Sequence, residues 1–76
     1  MSDKSRLRWK CRRGMKELDV LLTRFLETQY DALDAPLQYA FVTMLEMEDP
    51  DLYACLMGQQ EAPTAQLKDV IESIRG

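Results

Sequence analysis

The sequence of 76 residues contains no histidine. Histidine is the side chain that most often transfers protons near neutral pH, and it is also the commonest metal ligand. Its absence excludes Ser-His-Asp and Cys-His nucleophilic sites, as well as zinc sites that contain histidine. Because a chain this short also seldom encloses a cleft, we predict that the protein is not an enzyme.

Cysteine is scarce. The two cysteines, Cys11 and Cys55, lie far apart in the sequence, whereas a zinc or iron–sulfur site needs a close pair and further ligands. We predict free, buried thiols rather than a disulfide, and therefore a reducing, cytoplasmic location. We predict no metal and no cofactor of the protein's own.

Long apolar runs are also lacking. No stretch approaches the roughly 18 apolar residues of a membrane span, and the basic start is not followed by the apolar region of a signal peptide. The hydrophobic fraction of 46% and the charged fraction of 30% are ordinary for a globular domain. We predict one folded domain over residues 1–76, without direct membrane insertion.

Apolar residues recur at helical spacing nearly throughout the chain, which predicts an all-α fold, a small bundle of about five short helices. In the first helix we expect Leu7 and Cys11 to be buried and Trp9 to be partly exposed. Ser2 or Ser5 is the candidate N-cap of this helix.

Caps and apolar stripes predict the other helices. The second runs over about residues 15–30, Asp34 caps the third, Asp49 caps the fourth, which stops at Gly58, and Thr64 caps the last. The apolar residues of these stripes form the predicted core. They are Leu18, Leu21, Leu22, Phe25, Leu26, Tyr30, Leu37, Ala40, Phe41, Met44, Leu45, Leu52, Tyr53, Leu56, Met57, Leu67, Val70, Ile71 and Ile74.

Charge is divided unevenly along the chain. Residues 1–16 hold seven cations and one acid, a net charge of +6, whereas residues 17–76 hold three cations and twelve acids, a net charge of −9. A basic end suggests nucleic acid, but the acidic remainder would repel phosphate, so we predict no nucleic-acid partner. A role at a membrane surface is disfavoured because residues 1–13 have only a small apolar side.

The basic end finishes in Arg12-Arg13-Gly14, with Glu17 in the first turn of the next helix. One interpretation is a C′ glycine preceded by cations that suit the helix dipole. The other is a docking point, because a glycine lets another molecule approach the backbone, and Arg13 offers a planar fork of donors that Glu17 would orient. The two interpretations are compatible.

Asp49 and Asp51 flank Pro50 and also have two interpretations. An N-cap followed by an acid in the first turn, where the helix dipole favours negative charge, accounts for both residues. Alternatively, both belong to an acidic surface that faces a partner. The sequence leaves the two interpretations open.

Three segments are informative when they are taken together. They are Arg6-Leu7, the run Arg12-Arg13-Gly14-Met15-Lys16-Glu17-Leu18-Asp19, and Asp49-Pro50-Asp51-Leu52. They closely resemble the SdhE family of succinate dehydrogenase assembly factors, whose motif is Arg-Gly-x-x-Glu between the first two helices. The resemblance covers nearly the whole chain.

The resemblance implies a cytoplasmic bacterial helper that promotes covalent attachment of FAD to the flavoprotein subunit of succinate dehydrogenase, and often of fumarate reductase. The family motif falls on Arg13, Gly14 and Glu17. The FAD belongs to the client, and the resemblance leaves open whether this chain touches it. The predicted partner-binding residues are Arg12, Arg13, Gly14, Glu17, Asp19, Asp49 and Asp51.

As an assembly factor the protein would act as a monomer and hold its client where nucleophile and flavin meet, which lowers the barrier through positioning. Family members have also been labelled antitoxins. An antitoxin-like interaction module is therefore the alternative function, and a nucleic-acid-binding domain is a less favoured one.

Overall fold

Five α-helices follow one another in residues 4–76, the part of the chain that the computed structural model describes. They are α1 (Lys4–Cys11), α2 (Lys16–Thr28), α3 (Ala35–Met44), α4 (Asp49–Leu56) and α5 (Ala65–Arg75), with a short 3₁₀ helix, Tyr30–Ala32, before α3. These residues contain no β-strand, and none of their helices is long and apolar enough to cross a membrane. The prediction of an all-α fold with five short helices is confirmed.

A hydrophobic core joins the five helices. α1 packs on α2, α3 packs on α5, and α5 also contacts α2 and α4. Within the core, the Phe41 ring centre lies 5.2 Å from that of Phe25 and 5.5 Å from that of Tyr30, a tilted arrangement that aromatic rings favour. The predicted stripe of α5 is buried along its whole length, which confirms it.

Some residues expected in the core lie at its margin. Leu21, Leu37 and Tyr53 are half-buried, and Met57 is exposed. Leu21, Leu37 and Tyr53 pack against the core from its margin, whereas Met57 is the C-cap residue of α4. Trp9 lies off the buried stripe as predicted, but it is exposed rather than only partly exposed.

The helix ends agree with the prediction in part. The Thr64 hydroxyl accepts a hydrogen bond from the Leu67 N–H at 3.1 Å, which confirms the N-cap of α5. Asp34 precedes α3 as predicted, but its side chain makes no capping hydrogen bond. The prediction that Asp49 caps α4 is wrong, because the helix already includes Asp49 and the N-cap position belongs to Glu48.

The start of α1 also differs from one prediction. Ser5 lies inside the helix and therefore does not cap it. The other candidate cap, Ser2, lies outside the described residues. The buried stripe of Leu7 and Cys11 is confirmed.

Both cysteines are free and buried, as predicted. Burial raises the pKa of the Cys11 thiol to about 11, and it also raises the pKa of the Cys55 thiol. The thiolate is the reactive form of cysteine. Cys11 therefore stays protonated near neutral pH and serves as a small apolar side chain of the core.

Candidate functional site

Residues 12–15, which we call the elbow, turn the chain from α1 into α2. Gly14 has a backbone φ of +86°, in the left-handed region that costs a residue with a Cβ roughly 1–2 kcal/mol. Apart from its two chain neighbours, no residue among 4–76 has an atom within 4 Å of a Cβ added at Gly14. The backbone angle therefore requires the glycine, and the space above it is open to a visiting molecule.

Gly14 is not the C′ residue of α1. The helix ends at Cys11, three positions before the glycine. Its last turn is closed by a hydrogen bond from the Arg12 N–H to the Trp9 carbonyl at 3.1 Å. The C′ interpretation is therefore wrong, and the left-handed angle at Gly14 instead sets the direction in which the chain enters α2.

Asp19 holds the elbow from the side of α2. Its Oδ1 atom accepts a hydrogen bond from the backbone N–H of Arg13 at 2.6 Å. Asp19 also lies in the first turns of α2, where the helix dipole favours negative charge. The N-cap residue, Met15, makes no side-chain capping bond. Asp19 thus supplies an acceptor for a backbone donor of the elbow that lies outside both helices.

The Arg13 side chain turns inward, with only 16% of it exposed. One terminal nitrogen donates a hydrogen bond to the backbone carbonyl of Leu45, the C-cap residue of α3. The Nε atom lies 3.6 Å from Oδ1 of Asp49, the first residue of α4. A cation at a helix C-terminus satisfies a carbonyl that lacks an intrahelical partner and interacts favourably with the dipole.

Arg13 therefore ties the elbow to the turn between α3 and α4. We call the four residues Arg13, Asp19, Leu45 and Asp49 the arginine clamp. The prediction that Glu17 orients Arg13 is wrong, since the acid beside the guanidinium is Asp49. The clamp was invisible in the sequence because Arg13 and Leu45 are 32 positions apart.

The other predicted site residues lie on the surface. Arg12, Gly14 and Glu17 are exposed in and beside the elbow, and Asp51 is exposed in the first turn of α4. Asp51 forms no ion pair with any residue of the described chain. The fold therefore gathers the motif residues at the elbow and connects Asp49 to them through Arg13.

Acids from the rest of the fold neutralise most cations of α1. The ion pairs are Lys4–Asp31 at 2.8 Å, Arg8–Glu27 at 2.9 Å and Lys10–Glu46 at 2.8 Å. Hydrogen bonds from Arg8 hold the pKa of the Glu27 carboxyl below its usual value, and Lys10 lowers the pKa of Glu46 in the same way. The uneven charge of the sequence thus becomes attraction between a basic helix and an acidic body.

Sequence reasoning missed one feature beside the elbow. The Arg12 guanidinium carbon lies 5.8 Å from the centre of the Trp9 ring, within the range of a cation–π contact. A shallow pocket of about 430 Å³ lies against this pair and against Thr23 of α2. The spacing of the pair, i and i+3 in the sequence, is the signal that points to such a contact.

The fold and the elbow define a small helical domain that carries an open, left-handed glycine on its surface. The chain belongs to the family of succinate dehydrogenase flavinators, because a family profile described as "Flavinator of succinate dehydrogenase" matches residues 5–76. The resemblance stated from the motif residues is confirmed.

Individual relatives agree with the family. The chain is 48% identical over 73 residues to the FAD assembly factor SdhE of Legionella pneumophila (strain Paris). The aligned residues cover 96% of this chain and 91% of the relative. It is 43% identical over 75 residues to the protein of that name from Pectobacterium atrosepticum, with 99% and 85% covered. For the same factor of Shewanella oneidensis the identity is 42% over 72 residues, with 95% and 88% covered.

Proposed function

We propose that this protein is an assembly factor that binds the flavoprotein subunit of succinate dehydrogenase and promotes the covalent attachment of FAD to it. The observation that carries the proposal is the open glycine elbow in a chain that belongs to the flavinator family. The proposal needs binding alone, which suits a chain without histidine.

The client supplies the reacting groups in this proposal. Its own histidine forms the bond to the flavin, and this chain has no histidine to offer. The assembly factor holds parts of the client in the arrangement where nucleophile and flavin meet. Holding reactants in a productive geometry lowers the barrier because the entropy of bringing them together has already been lost on binding.

The elbow divides the roles of its residues. Gly14 lies at the centre of the contact, since no residue among 4–76 other than its chain neighbours comes within 4 Å of a Cβ placed on it, and the exposed Glu17 lies beside it. Arg13, Asp19 and Asp49 keep the elbow in shape through their mutual contacts. These three are therefore positioning residues, and the exposed residues Gly14 and Glu17 make the contacts with the client.

We further propose that the protein works in the cytoplasm as a monomer, as one domain over residues 1–76, and that the fumarate reductase flavoprotein is a second client. The buried, free cysteines support a reducing compartment. Light scattering after size-exclusion chromatography tests the monomeric state and the stoichiometry with each client. We expect one copy of the protein alone and one copy bound to each client chain.

The test of the function is covalent flavin fluorescence of the client subunit after denaturing electrophoresis. We compare cells that lack this chain with cells that produce the wild type or a Gly14→Arg variant. The wild type should restore the fluorescence and the variant should fail, while circular dichroism shows that both are helical.

Two results would count against the proposal. If the wild type leaves covalent flavin unchanged, the assembly function is wrong. If a folded Gly14→Arg variant restores flavin as well as the wild type, the elbow is not the contact.

A further inference from the structure

We propose that Arg12, paired with Trp9, and not Arg13, presents the positive charge that binds the client, and that this pair docks on an acidic segment of the client's surface. The inference rests on the proposed function. It names the contact beside Gly14 and the chemistry of the surface that fits it.

The two adjacent arginines of the elbow point in opposite directions. Arg13 is mostly buried and already has the Leu45 carbonyl and Asp49 as partners. Arg12 is exposed and forms no ion pair within residues 4–76. An arginine with no acid beside it keeps its fork of N–H donors available for a carboxylate from outside.

Trp9 makes the same surface suitable for a protein partner. Its side chain is 72% exposed, and it lies under the Arg12 guanidinium. Tryptophan and arginine are enriched among the residues that contribute most of the binding energy at protein interfaces. An exposed pair of these two types, next to an open glycine, is therefore the strongest candidate contact on this side of the molecule.

The charge around the pair favours an acidic partner. Of the seven cations in residues 4–16, Lys4, Arg8, Lys10 and Arg13 are paired with acids from other elements. The unpaired cations of this segment, as far as the described residues show, are Arg6, Arg12 and Lys16. The charge that remains is positive, so it attracts an acidic surface and disfavours a basic one.

The pocket beside the pair fits a carboxylate side chain. It is lined by Arg8, Trp9, Arg12 and Thr23, among others, and has a volume of about 430 Å³. Arg8 already makes two-pronged hydrogen bonds to Glu27, at 2.9 Å to each carboxylate oxygen. Arg12 is therefore the open donor in this pocket, and Trp9 supplies the apolar wall.

A phosphate backbone is the competing occupant, since aromatic rings and arginines also bind nucleic acids. The acids that flank α1 argue against it. Glu27, Asp31 and Glu46 each lie within 2.9 Å of a cation of this helix, so a strand of phosphates laid along α1 would meet their negative charge. A single acidic segment at Arg12 avoids them.

The experiment measures the binding of the purified client subunit to Arg12→Glu and Trp9→Ala variants. The matched controls are Arg24→Glu, an exposed arginine on α2, and Tyr39→Ala, an exposed aromatic residue on α3. We expect the Kd for the client to rise at least about tenfold for the two test variants and to change less than about twofold for the controls. Urea unfolding should give all four variants the wild-type midpoint.

The outcomes separate the inference from the function on which it rests. If the wild type does not bind the client, the proposed function is wrong. If the wild type binds and Arg12→Glu binds equally well, only the inference is overturned. Equal losses of affinity for Arg24→Glu and Arg12→Glu would mean that general charge attraction, and not a specific contact at Arg12, binds the client, which would overturn the inference. Duplex DNA binding by the wild type that Arg12→Glu abolishes would assign the surface to nucleic acid and overturn the inference too.

Discussion

Two helix junctions of this chain contain a left-handed glycine, and their hydrogen bonds differ. Before α5, Gly58 has a φ of +78°. Its N–H bonds to the Cys55 carbonyl at 3.2 Å, and the Gln59 N–H bonds to the Ala54 carbonyl at 2.8 Å. These two bonds form a Schellman motif, which caps a helix. Among residues 4–76, the end of α1 near Gly14 has no such pair of backbone bonds.

The surroundings of the two glycines differ as well. A Cβ on Gly58 would lie 3.3 Å from the Arg75 guanidinium, whereas a Cβ on Gly14 would have no described residue other than its chain neighbours within 4 Å. The same backbone angle thus completes a helix cap at one junction and leaves an open surface at the other. A left-handed glycine is therefore a sign of function only when its hydrogen bonds and neighbours leave it unexplained.

The largest effect on stability should come from the arginine clamp, which the junction before α5 lacks. Arg13→Ala removes the donor to the Leu45 carbonyl and leaves the half-buried Asp49 without its cation. We expect the free energy of unfolding to fall by about 1–3 kcal/mol, measured by urea denaturation. The control, Arg12→Ala, should stay within about 0.5 kcal/mol of the wild type. Equal losses for the two variants would remove the distinction between inward and outward arginines.

The next effect compares the glycines directly. Gly14→Ala and Gly58→Ala should each cost roughly 1–2 kcal/mol of unfolding free energy, because both place a Cβ in a left-handed conformation. Only Gly14→Ala should also weaken client binding, since only its Cβ points into open space. Urea denaturation and a binding titration together test this pair. If Gly58→Ala weakens client binding as much as Gly14→Ala while the two variants are equally stable, the open surface above Gly14 is not what the client recognises.

A smaller effect should come from the cap that follows Gly58. Thr64→Ala removes the hydrogen bond to the Leu67 N–H and should lower the unfolding free energy by about 1 kcal/mol. Asp34→Ala is the matched control, because Asp34 holds the same position before α3 without a capping bond. Calorimetry should show a lower melting temperature for Thr64→Ala than for Asp34→Ala, with client binding unchanged in both. The opposite order would mean that Asp34 is the stronger cap.

The smallest effect should be the pH dependence that the Arg8–Glu27 ion pair, between α1 and α2, gives to the unfolding free energy. Arg8 lowers the pKa of Glu27, so their pair adds stability above the ordinary glutamate pKa, and that contribution is lost as the pH falls through the lowered value. Between about pH 6 and pH 3, the unfolding free energy of Glu27→Gln should fall less steeply than that of the wild type. Arg8→Gln should show the same shallower slope. Identical slopes for wild type and Glu27→Gln would show that the pair does not contribute.

Local patterns were sufficient for the helices and for most of the core. The large apolar residues of α5 repeat at helical spacing, and all four are buried: Leu67, Val70, Ile71 and Ile74. Thr64 caps the helix because a hydroxyl can reach a backbone N–H three residues later in the same segment. Asp49 fits the same local rule but lies inside α4, one residue after the N-cap position, and its carboxylate instead lies beside Arg13, a residue from another part of the chain.

The sequence by itself determined the all-α class, most of the buried stripes and the family. These properties follow from spacing and residue type within short segments, so no knowledge of distant contacts is required. Only the tertiary structure decided which of two neighbouring arginines faces solvent. Arg13 turns inward because the carbonyl of Leu45, the C-cap residue of α3, lies beside the elbow although it is 32 positions along the chain. The packing of the helices on one another places it there.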